Sequence, residues 1–362
     1  MTIVDTYSKA GVNTEQAEES LSGLINYVKK TWGFSTDVAK VKLDLGYFAN
    51  VLDVGNGLGI AVSTDGVGTK IVVSQLMNKF DTIGIDCIAM NVNDILCVGA
   101  RPITMLDYIA VQEPNARLLG EIGKGLYKGA QLANITIPGG ELAQVRDMLK
   151  SHRENLGFDL VGTAVGIVPT DKIIIGEKLK EGDIIVGIES SGIHSNGLSL
   201  ARKVLLEDEG LSVDRHIDEL GTTLGNELLK PTYIYVREIM DILSAGIDVK
   251  ALIHITSDGF LNLLRVATDV SYVIEELPDT PPIFTLIQRV GNISDEDMFF
   301  IYNMGVGFCI VVPPKNVEQV ISIVNKHNKV ARQLGHVVSD RKRHVIIKPK
   351  NLVGKDKQFY KY

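Results

Sequence analysis

The sequence has little of what a secreted or membrane-spanning protein needs. Its three cysteines, Cys87, Cys97 and Cys309, are an odd number without a C-x-x-C pair, which excludes a disulfide framework and a thiolate zinc site. Asp or Asn interrupts the apolar runs within about ten residues, short of the roughly 20 that a spanning helix needs. The first residues lack the basic and apolar regions of a signal peptide. We therefore expect a soluble protein of the reducing cytoplasm, without a membrane partner.

Size and charge narrow the class further. A chain of 362 residues that is 45% hydrophobic is too apolar for disorder, and single cores stop growing at roughly 250–300 residues, so we expect two domains. The net charge is −7, yet residues 340–362 hold eight Lys or Arg against two Asp. The rest of the chain, residues 1–339, is therefore strongly acidic and repels phosphate, which argues against a general nucleic-acid binder. Residues 348–362 are predicted to be a solvated basic tail, with contact to RNA as the less favoured alternative.

The glycine-rich segment at residues 55–59 resembles a nucleotide loop only superficially. It carries Asn56-Gly57 between two β-rich runs, which is the signal of a tight hairpin, and no helix follows to receive a pyrophosphate. The P-loop pattern G-x-x-x-x-G-K-[ST] does not occur either. The sequence therefore excludes both of these nucleotide motifs.

Strands and helices alternate irregularly, with hairpins in the first half. This order predicts an α+β fold with domains at 1–169 and 170–347, rather than a doubly wound parallel sheet. The predicted helices are 14–31, 82–98, 116–133, 199–207, 233–245 and 261–266, and the predicted strands are 48–54, 60–64, 104–111, 160–168, 184–188, 307–312 and 344–347.

The first group of residues able to carry chemistry lies at the end of a predicted apolar strand. Asp65 is followed by Gly66, Gly68, Thr69 and Lys70. The backbone N–H groups near the two glycines could cradle a phosphate, with Lys70 neutralising charge and Asp65 holding a cation. The same residue types also favour a surface turn with an Asx cap, and that alternative stays open.

The predicted helix at 82–98 carries short oxygen ligands. Asp86 and Asn93 lie within roughly 20° of each other on the helical wheel, and Asp94 lies roughly 80° from Asp86. A solvated face would normally include Lys, Arg or Glu, and residues 83–96 contain none. The pattern favours a hard cation such as Mg²⁺.

Two loops complete the candidates. Gly139 and Gly140 precede Glu141, a further possible cation ligand, although a plain turn explains this motif equally well. The segment 189–197 joins a strand to a helix, and its small polar residues favour an anion site in which His194 could donate, accept or carry a proton. The anion-binding candidates there are Ser191, Gly192, His194, Ser195 and Asn196.

In this order and spacing, the motifs resemble one family. They read D-G-V-G-T-K at 65–70, F-D-T-I-G-I-D at 80–86, M-N-V-N-D at 90–94, G-A-R-P at 99–102, G-G-E at 139–141, F-D-L-V-G at 158–162 and S-G-I-H-S-N-G at 191–197. The chain resembles the phosphoribosylformylglycinamidine cyclo-ligases, also called aminoimidazole ribonucleotide synthetases, from about residue 7 to residue 347.

The resemblance implies an activity and an assembly. Such an enzyme uses ATP and Mg²⁺ to close formylglycinamidine ribonucleotide into 5-aminoimidazole ribonucleotide in purine biosynthesis. It implies that Asp65, Asn93, Asp94 and Glu141 hold the metal, that Asp65, Lys70, Asp94 and His194 are catalytic, and that Gly66, Gly68, Thr69, Lys70, Gly139 and Gly140 bind ATP. It also implies a homodimer in which strands of both first domains form a shared barrel, while the second domain is a sheet flanked by helices on the substrate side.

Departures from the family pattern and related families leave alternatives open. Leu142, Thr256-Ser257-Asp258-Gly259 and Gly46-Tyr47-Phe48-Ala49 each differ from the family's usual residues. Selenophosphate synthetases, hydrogenase maturation proteins and thiamine-monophosphate kinases are disfavoured by the missing early Cys, the C-terminal Tyr362 and the absence of G-D-D-A. A non-catalytic homologue is disfavoured by the intact acidic residues and Lys70, and an assay of ATP turnover with substrate would decide.

Overall fold

The structure is a computed structural model that describes residue 11, residues 14–35 and residues 38–362. It has the predicted mixed α+β organisation, with two main sheets flanked by helices. The entry segment at 7–12, where the family resemblance begins, lies outside the described residues except for Gly11.

The sheet of the first half has six strands within the described residues. They are β1 (Lys40–Val41), β2 (Asn50–Asp53), β3 (Leu58–Gly66), β4 (Arg101–Val111), β5 (Gly140–Gln144) and β6 (Phe158–Pro169). Their order is β1-β2-β3-β6-β4-β5, with β4 and β5 parallel and the other neighbours antiparallel. Burial alternates along β6, so one face of the sheet lies on the core and the other faces outward. The prediction of a mostly antiparallel first sheet is confirmed.

The β2–β3 hairpin confirms the interpretation of the glycine-rich segment. Asn56 and Gly57 have φ angles of 53° and 72°, the left-handed values that tight hairpin turns require. The N–H of Leu58 donates to the carbonyl of Gly55 at 3.0 Å and closes the turn.

The described residues of the first half form four α-helices: α1 (Thr14–Lys30), α2 (Lys70–Met77), α3 (Ile83–Cys97) and α4 (Ala116–Ala133). Helix α3 packs between α4 and the inner face of β3 and β6. Glycines allow α3 and α4 to approach closely, because a Cβ on Gly84 would lie only 2.2 Å from the backbone nitrogen of Leu126. Since α3 is buried on nearly all sides, its polar side chains do not form a solvated face.

The second half is built on an eight-stranded sheet. Its strands are β7 (Ile184–Glu189), β10 (Ala251–His254), β11 (Ser271–Ile274), β12 (Val306–Val312), β13 (Ala331–Val338), β14 (Val345–Ile347), β15 (Leu352–Lys355) and β16 (Gln358–Lys361), while β8 (His216–Ile217) and β9 (Thr222–Thr223) pair separately. The order is β10-β12-β7-β13-β11-β14-β15-β16, and only β11 and β14 among these described neighbours are parallel.

The helices of the second half are α5 (Leu198–Arg202), α6 (Leu224–Leu228), α7 (Val236–Ser244), α8 (Pro282–Gly291), α9 (Asp295–Ile301) and α10 (Val317–Lys326). A π-helical turn extends α5 to Asp208, and the predicted helix at 261–266 is a 3₁₀ helix over Gly259–Arg265. Helix α7 begins three residues later than predicted, and the backbone of Tyr233 and Tyr235 just before it forms hydrogen bonds with the side chain of Asn93 on α3. Among the described residues, no helix combines the length and the apolar character that crossing a bilayer demands.

The prediction of a solvated tail at 348–362 is wrong. Strands β15 and β16 form a hairpin that pairs with β14 and extends the second sheet. Leu352 is completely buried and Phe359 is 2% exposed. Burial alternates along β15, and the apolar residues Leu352-Val353 and Phe359-Tyr360 predict two short strands that a count of charges overlooks.

Candidate functional site

Asp65 lies near the end of β3, on the face of the first sheet that packs against α3. It is in register with Gly162 of β6, and a Cβ at Gly162 would meet Asn91 and Cys87 of that helix. Burial, and then the neighbouring carboxylate of Asp94, raises the pKa of Asp65 to about 6. A 2.7 Å hydrogen bond from the N–H of Gly66 and the nearby His254 act in the opposite direction. Two carboxylates therefore share this part of the core and repel each other.

The second of them, Asp94, is held by a histidine that the sequence did not single out. Its Oδ1 lies 2.9 Å from Nδ1 of His254, the last residue of β10. The imidazole is completely buried and stacks on Phe308, while 17% of the Asp94 side chain remains exposed. The only hint in the sequence is a histidine between two isoleucines on an apolar strand.

The pair Asp65–Asp94 fits a magnesium ion better than a transition metal. Among the described residues, no group of three or more His, Cys, Asp or Glu side chains could enclose a metal ion. Mg²⁺ binds in proteins through one or two carboxylates and takes its other ligands from water and substrate phosphates. Because the Asp94 carboxylate contributes to the raised pKa of Asp65, a divalent cation between the two would relieve their repulsion.

Asn93, predicted as a metal ligand, instead joins α3 to the second half of the chain. Its Nδ2 donates to the carbonyl of Tyr233 at 2.8 Å, and its Oδ1 accepts from the N–H of Tyr235 at 3.1 Å. Both polar atoms of the amide are engaged by the protein, so the structure does not support Asn93 as a metal ligand.

Lys70, predicted to contact phosphate, is completely buried. Its ammonium lies 2.8 Å from Oδ1 of Asp86 and also donates to the carbonyl of Lys230. Burial lowers the pKa of Lys70, and the Asp86 carboxylate opposes that shift. In this conformation the ammonium has no exposed surface to offer a phosphate, because Asp86 has taken the place of the anion.

The rest of the segment 65–70 keeps the geometry expected of a backbone cradle. Gly66 is the last residue of β3, and Gly68 has a φ angle of 70°, which a side chain rarely tolerates. Apart from Gly68 and its two chain neighbours, no atom of the described residues lies within 4 Å of the position of a Cβ at Gly68, so open space adjoins the backbone there. The hydroxyl of Thr69 lies 3.0 Å from that of Ser199, in the second half of the chain.

The Gly139–Glu141 motif lies apart from the two aspartates. A Cβ on Gly140 would lie 2.6 Å from Oδ1 of Asp107, with which Gly140 is in register. Glu141 is exposed and in register with Tyr108, on the face of the sheet opposite to that of Asp65. Within one chain the structure does not bring Glu141 to Asp65 and Asp94.

The loop after β7 is a compact turn built around His194. This residue is 2% exposed and has a φ angle of 64°. Its Nε2 accepts a 3.2 Å hydrogen bond from the N–H of Ser191, while its buried Nδ1 has no hydrogen-bond partner among the described residues. Burial, with smaller effects of His254 and Lys70, holds the pKa of His194 well below its usual value. The ring is therefore neutral and has one unused polar atom.

The other predicted residues of this loop differ in their contacts. Ser191 donates to the carbonyl of Pro231 at 2.6 Å, and Ser195 donates to Asp86 at 3.3 Å. Gly192 is buried with a φ angle of 151°, and Asn196 is half-buried.

Lys230 is a further residue that the sequence reasoning missed. Its side chain passes 3.8 Å from the position of a Cβ at Gly192, and its half-exposed ammonium lies 2.6 Å from Glu227. It supplies an accessible positive charge beside the loop, which the buried Lys70 does not. No local signal distinguishes Lys230 from the other lysines of the sequence.

The structure thus brings together three of the four predicted groups, namely the segment 65–70, helix α3 and the loop after β7, while the motif at 139–141 lies apart. Asp94 and His254 link α3 to β10, Lys70 and Asp86 link α2 to α3, and Ser195 connects the loop after β7 to Asp86. The arrangement combines an acidic pair, a glycine-rich backbone turn and an anion-binding loop with a cation at its rim. Such a site can hold a metal–phosphate group next to a second anionic ligand.

Comparison with known proteins agrees with this geometry. Family models of AIR synthase related proteins match residues 46–168 with the N-terminal domain and residues 180–348 with the C-terminal domain. The phosphoribosylformylglycinamidine cyclo-ligase of Pyrococcus horikoshii is 44% identical over 96% of this chain and 98% of its own. The cyclo-ligase of Methanocaldococcus jannaschii is also 44% identical, over 92% of each chain.

A solved structure extends the likeness in fold. The hydrogenase maturation protein HypE in complex with ATP superposes with a TM-score of 0.57 at 17% identity, over 88% of this chain and 87% of its own. At that identity the likeness concerns the fold alone. The family models span most of the chain and the relatives nearly all of it, and so the chain belongs to the AIR synthase family, on the branch of the phosphoribosylformylglycinamidine cyclo-ligases.

Proposed function

We propose that the protein is an ATP- and Mg²⁺-dependent cyclo-ligase of the cytoplasm that converts formylglycinamidine ribonucleotide into 5-aminoimidazole ribonucleotide in de novo purine biosynthesis. ADP and phosphate are the other products. The observation that carries the proposal is that helix α3 joins the acidic pair Asp65–Asp94 to the loop around His194, through the hydrogen bond from Ser195 to Asp86, in a chain that is 44% identical to a curated cyclo-ligase over 96% of its length. Three buried, unpaired cysteines are compatible with a reducing compartment.

The chemistry requires activation of an amide oxygen, which is a poor leaving group. Phosphorylation of that oxygen gives an iminophosphate, which the neighbouring amidine nitrogen attacks to close the ring and expel phosphate. Asp65 and Asp94 would hold Mg²⁺, which when bound neutralises charge on the ATP phosphates. The backbone at Gly66, Gly68 and Thr69 would orient the same phosphates, whereas Gly139, Gly140 and Glu141 lie apart from this arrangement within one chain.

This proposal predicts where the substrate's oxygen goes. With ¹⁸O in the amide carbonyl of formylglycinamidine ribonucleotide, inorganic phosphate should acquire about one labelled atom per ring formed. Mass spectrometry of the phosphate from a complete turnover measures this ratio, and a parallel reaction in H₂¹⁸O with unlabelled substrate is the control. Unlabelled phosphate from labelled substrate would refute the iminophosphate route and would leave ATP driving only a conformational step.

The loop 191–196 is proposed to bind the ribonucleotide on the substrate side of the second domain. Lys230 offers a half-exposed side chain whose ammonium suits an anionic ligand, and the buried His194 supports the loop by accepting the N–H of Ser191. His194→Ala should therefore raise the apparent KM for formylglycinamidine ribonucleotide by about tenfold, because the loop loses the hydrogen bond that fixes Ser191. Steady-state kinetics with each substrate varied in turn test this. A defect confined to ATP would contradict the assignment.

A homodimer is proposed because the outer face of the first sheet is apolar and uncovered. Leu106, Tyr108 and Ile167 project from this face with 45%, 43% and 38% of their surface exposed. Monomeric proteins rarely expose a contiguous apolar sheet face, and a second copy of domain 1–169 would cover it and close a shared barrel.

A charge on that face should separate the subunits. Sedimentation of the wild type at micromolar concentration should give a dimer, and Leu106→Lys should give a monomer, because the lysine would be buried without a partner. Tyr127→Lys, at a 71% exposed position of α4, is the matched control and should stay dimeric. A monomeric wild type would disprove the proposed assembly.

A further inference from the structure

One oxygen of Asp86 gathers donors from three separate segments of the chain. Its Oδ1 accepts from the ammonium of Lys70 at 2.8 Å, from the backbone N–H and the hydroxyl of Thr232 at 2.7 Å each, and from the hydroxyl of Ser195 at 3.3 Å. Asp86 and Lys70 are completely buried, and Thr232 is 1% exposed. The carboxylate is thus a junction between α2, the segment before α7 and the loop 191–196.

Stability alone is a poor reason for this arrangement. Desolvation of a buried ion pair offsets most of its attraction, and apolar residues of similar volume are often as stable or more so. Within the described part of the chain, the second oxygen of Asp86 has no hydrogen-bond partner, which adds to the free-energy cost of burying the group. What such a pair provides in return is a specific relative position of the elements that it joins.

The elements joined by Asp86 are the two halves of the site. Lys70 follows directly on the glycine-rich backbone at 66–69, while Ser195 is the neighbour of His194. A second contact runs in parallel, since the hydroxyl of Thr69 meets that of Ser199 at 3.0 Å just beyond the loop. A shift of Asp86 would therefore move the loop 191–196 relative to the segment 65–70.

We infer that Asp86 is a positioning residue, which fixes the loop 191–196 against the segment 65–70 through Thr232 and Ser195, with Lys70 as its buried counter-charge rather than a phosphate ligand. The inference rests on the proposed function for its consequence in catalysis. An in-line transfer from ATP to the substrate amide depends on the distance between two ligands, and a misplacement of about 1 Å costs up to roughly 10²-fold in rate.

The sharpest test changes Thr232 and leaves the ion pair intact, since Asp86→Asn would strand the buried ammonium of Lys70 and disturb folding itself. Thr232→Val keeps the shape and removes one hydroxyl donor to Asp86. Thr268→Val is the matched control, because it also removes one threonine hydroxyl bond, to the carbonyl of Gly176 at 2.7 Å. Thr232→Ser restores the hydroxyl.

Two measurements decide the matter, and only one of them needs turnover. Amide hydrogen exchange of residues 191–196 should accelerate about tenfold in Thr232→Val, and should stay at the wild-type rate in Thr268→Val and Thr232→Ser. In kinetics, Thr232→Val should raise the KM for formylglycinamidine ribonucleotide about tenfold with less than a twofold change in the KM for ATP.

The outcomes separate the inference from the proposed function. If Thr232→Val matches Thr268→Val in hydrogen exchange, Asp86 is a structural residue only and the inference is overturned. If exchange accelerates as expected while the wild type forms no aminoimidazole ribonucleotide, the positioning role stands and the proposed function fails. The double variant Lys70→Met/Asp86→Leu adds a check on Lys70. A selective rise in its KM for ATP would show that Lys70 contacts the ATP phosphates and would contradict its assignment as a counter-charge only.

Discussion

Asp94→Asn should lower the turnover of the cyclisation by about 10²-fold or more, the scale of losing one electrostatic contact in the transition state. Asparagine keeps the size of the side chain and an oxygen for the contact with Nδ1 of His254, so the fold should survive. What disappears is the negative charge that, with Asp65, would attract Mg²⁺. The apparent Mg²⁺ requirement should rise together with the fall in turnover, and a titration of rate against Mg²⁺ measures both.

The chain offers a matched control for this change. Asp241 also pairs with a histidine, its Oδ2 lying 2.9 Å from Nε2 of His327, but that pair is on the surface and away from the site. Asp241→Asn should leave turnover and Mg²⁺ dependence within twofold of the wild type. Normal turnover of Asp94→Asn at low Mg²⁺ would remove Asp94 from the cation site.

Asp65→Asn should abolish activity and at the same time stabilise the ligand-free protein. The pKa of Asp65 is raised from 3.8 to about 6, so the folded chain binds this proton more tightly than the unfolded chain does. The ionised carboxylate then costs stability at neutral pH, and each pKa unit corresponds to roughly 1.4 kcal/mol. The variant should gain up to about 3 kcal/mol at pH 8.

The pH dependence has a definite sign. Below about pH 4 the Asp65 carboxyl is protonated in the folded and the unfolded chain alike, and its ionisation costs no stability. As the pH rises from about 4 to 6 the free energy of unfolding falls, and above about pH 6 the full cost of the ionised carboxylate is present. The advantage of Asp65→Asn should therefore be largest at pH 8 and shrink as the pH is lowered to 5, as measured by urea unfolding. Asp44→Asn is the control, because an exposed contact with Lys29 lowers the pKa of Asp44 and its removal should bring no gain. A variant no more stable than the wild type at pH 8 would contradict the raised pKa.

Local pattern predicted the elements of the site, and long-range contacts decided its details. Neighbouring residues in the sequence are enough to predict the hairpin at Asn56-Gly57, helix α3 and the loop around His194. The partner of Asp94 is not, because His254 lies 160 residues away and meets it only when β10 packs on α3.

Lys70 shows more directly that the type of a residue does not identify its partner in the folded chain. A lysine after two glycines suits a phosphate, and nothing nearby in the sequence indicates that a carboxylate sixteen residues later has already taken its charge. Asn93 likewise looked like an oxygen ligand on a polar stripe, whereas the folded chain uses its amide to bond the backbone before α7. Side-chain type suggests what a residue can bind, and the tertiary fold selects among the partners.

The hairpin β15–β16 has a consequence for how the molecule behaves in a crowded solution. It makes β16 one of the two outermost strands of the second sheet, where unpaired N–H and carbonyl groups could recruit a strand from another molecule. This strand is only four residues long. Lys357 precedes it, and Lys361 is its last residue. Short length and lysine are the features by which natural proteins discourage pairing of sheet edges. The two lysines at β16 are therefore suited to disfavour the pairing of this edge with a strand of another molecule.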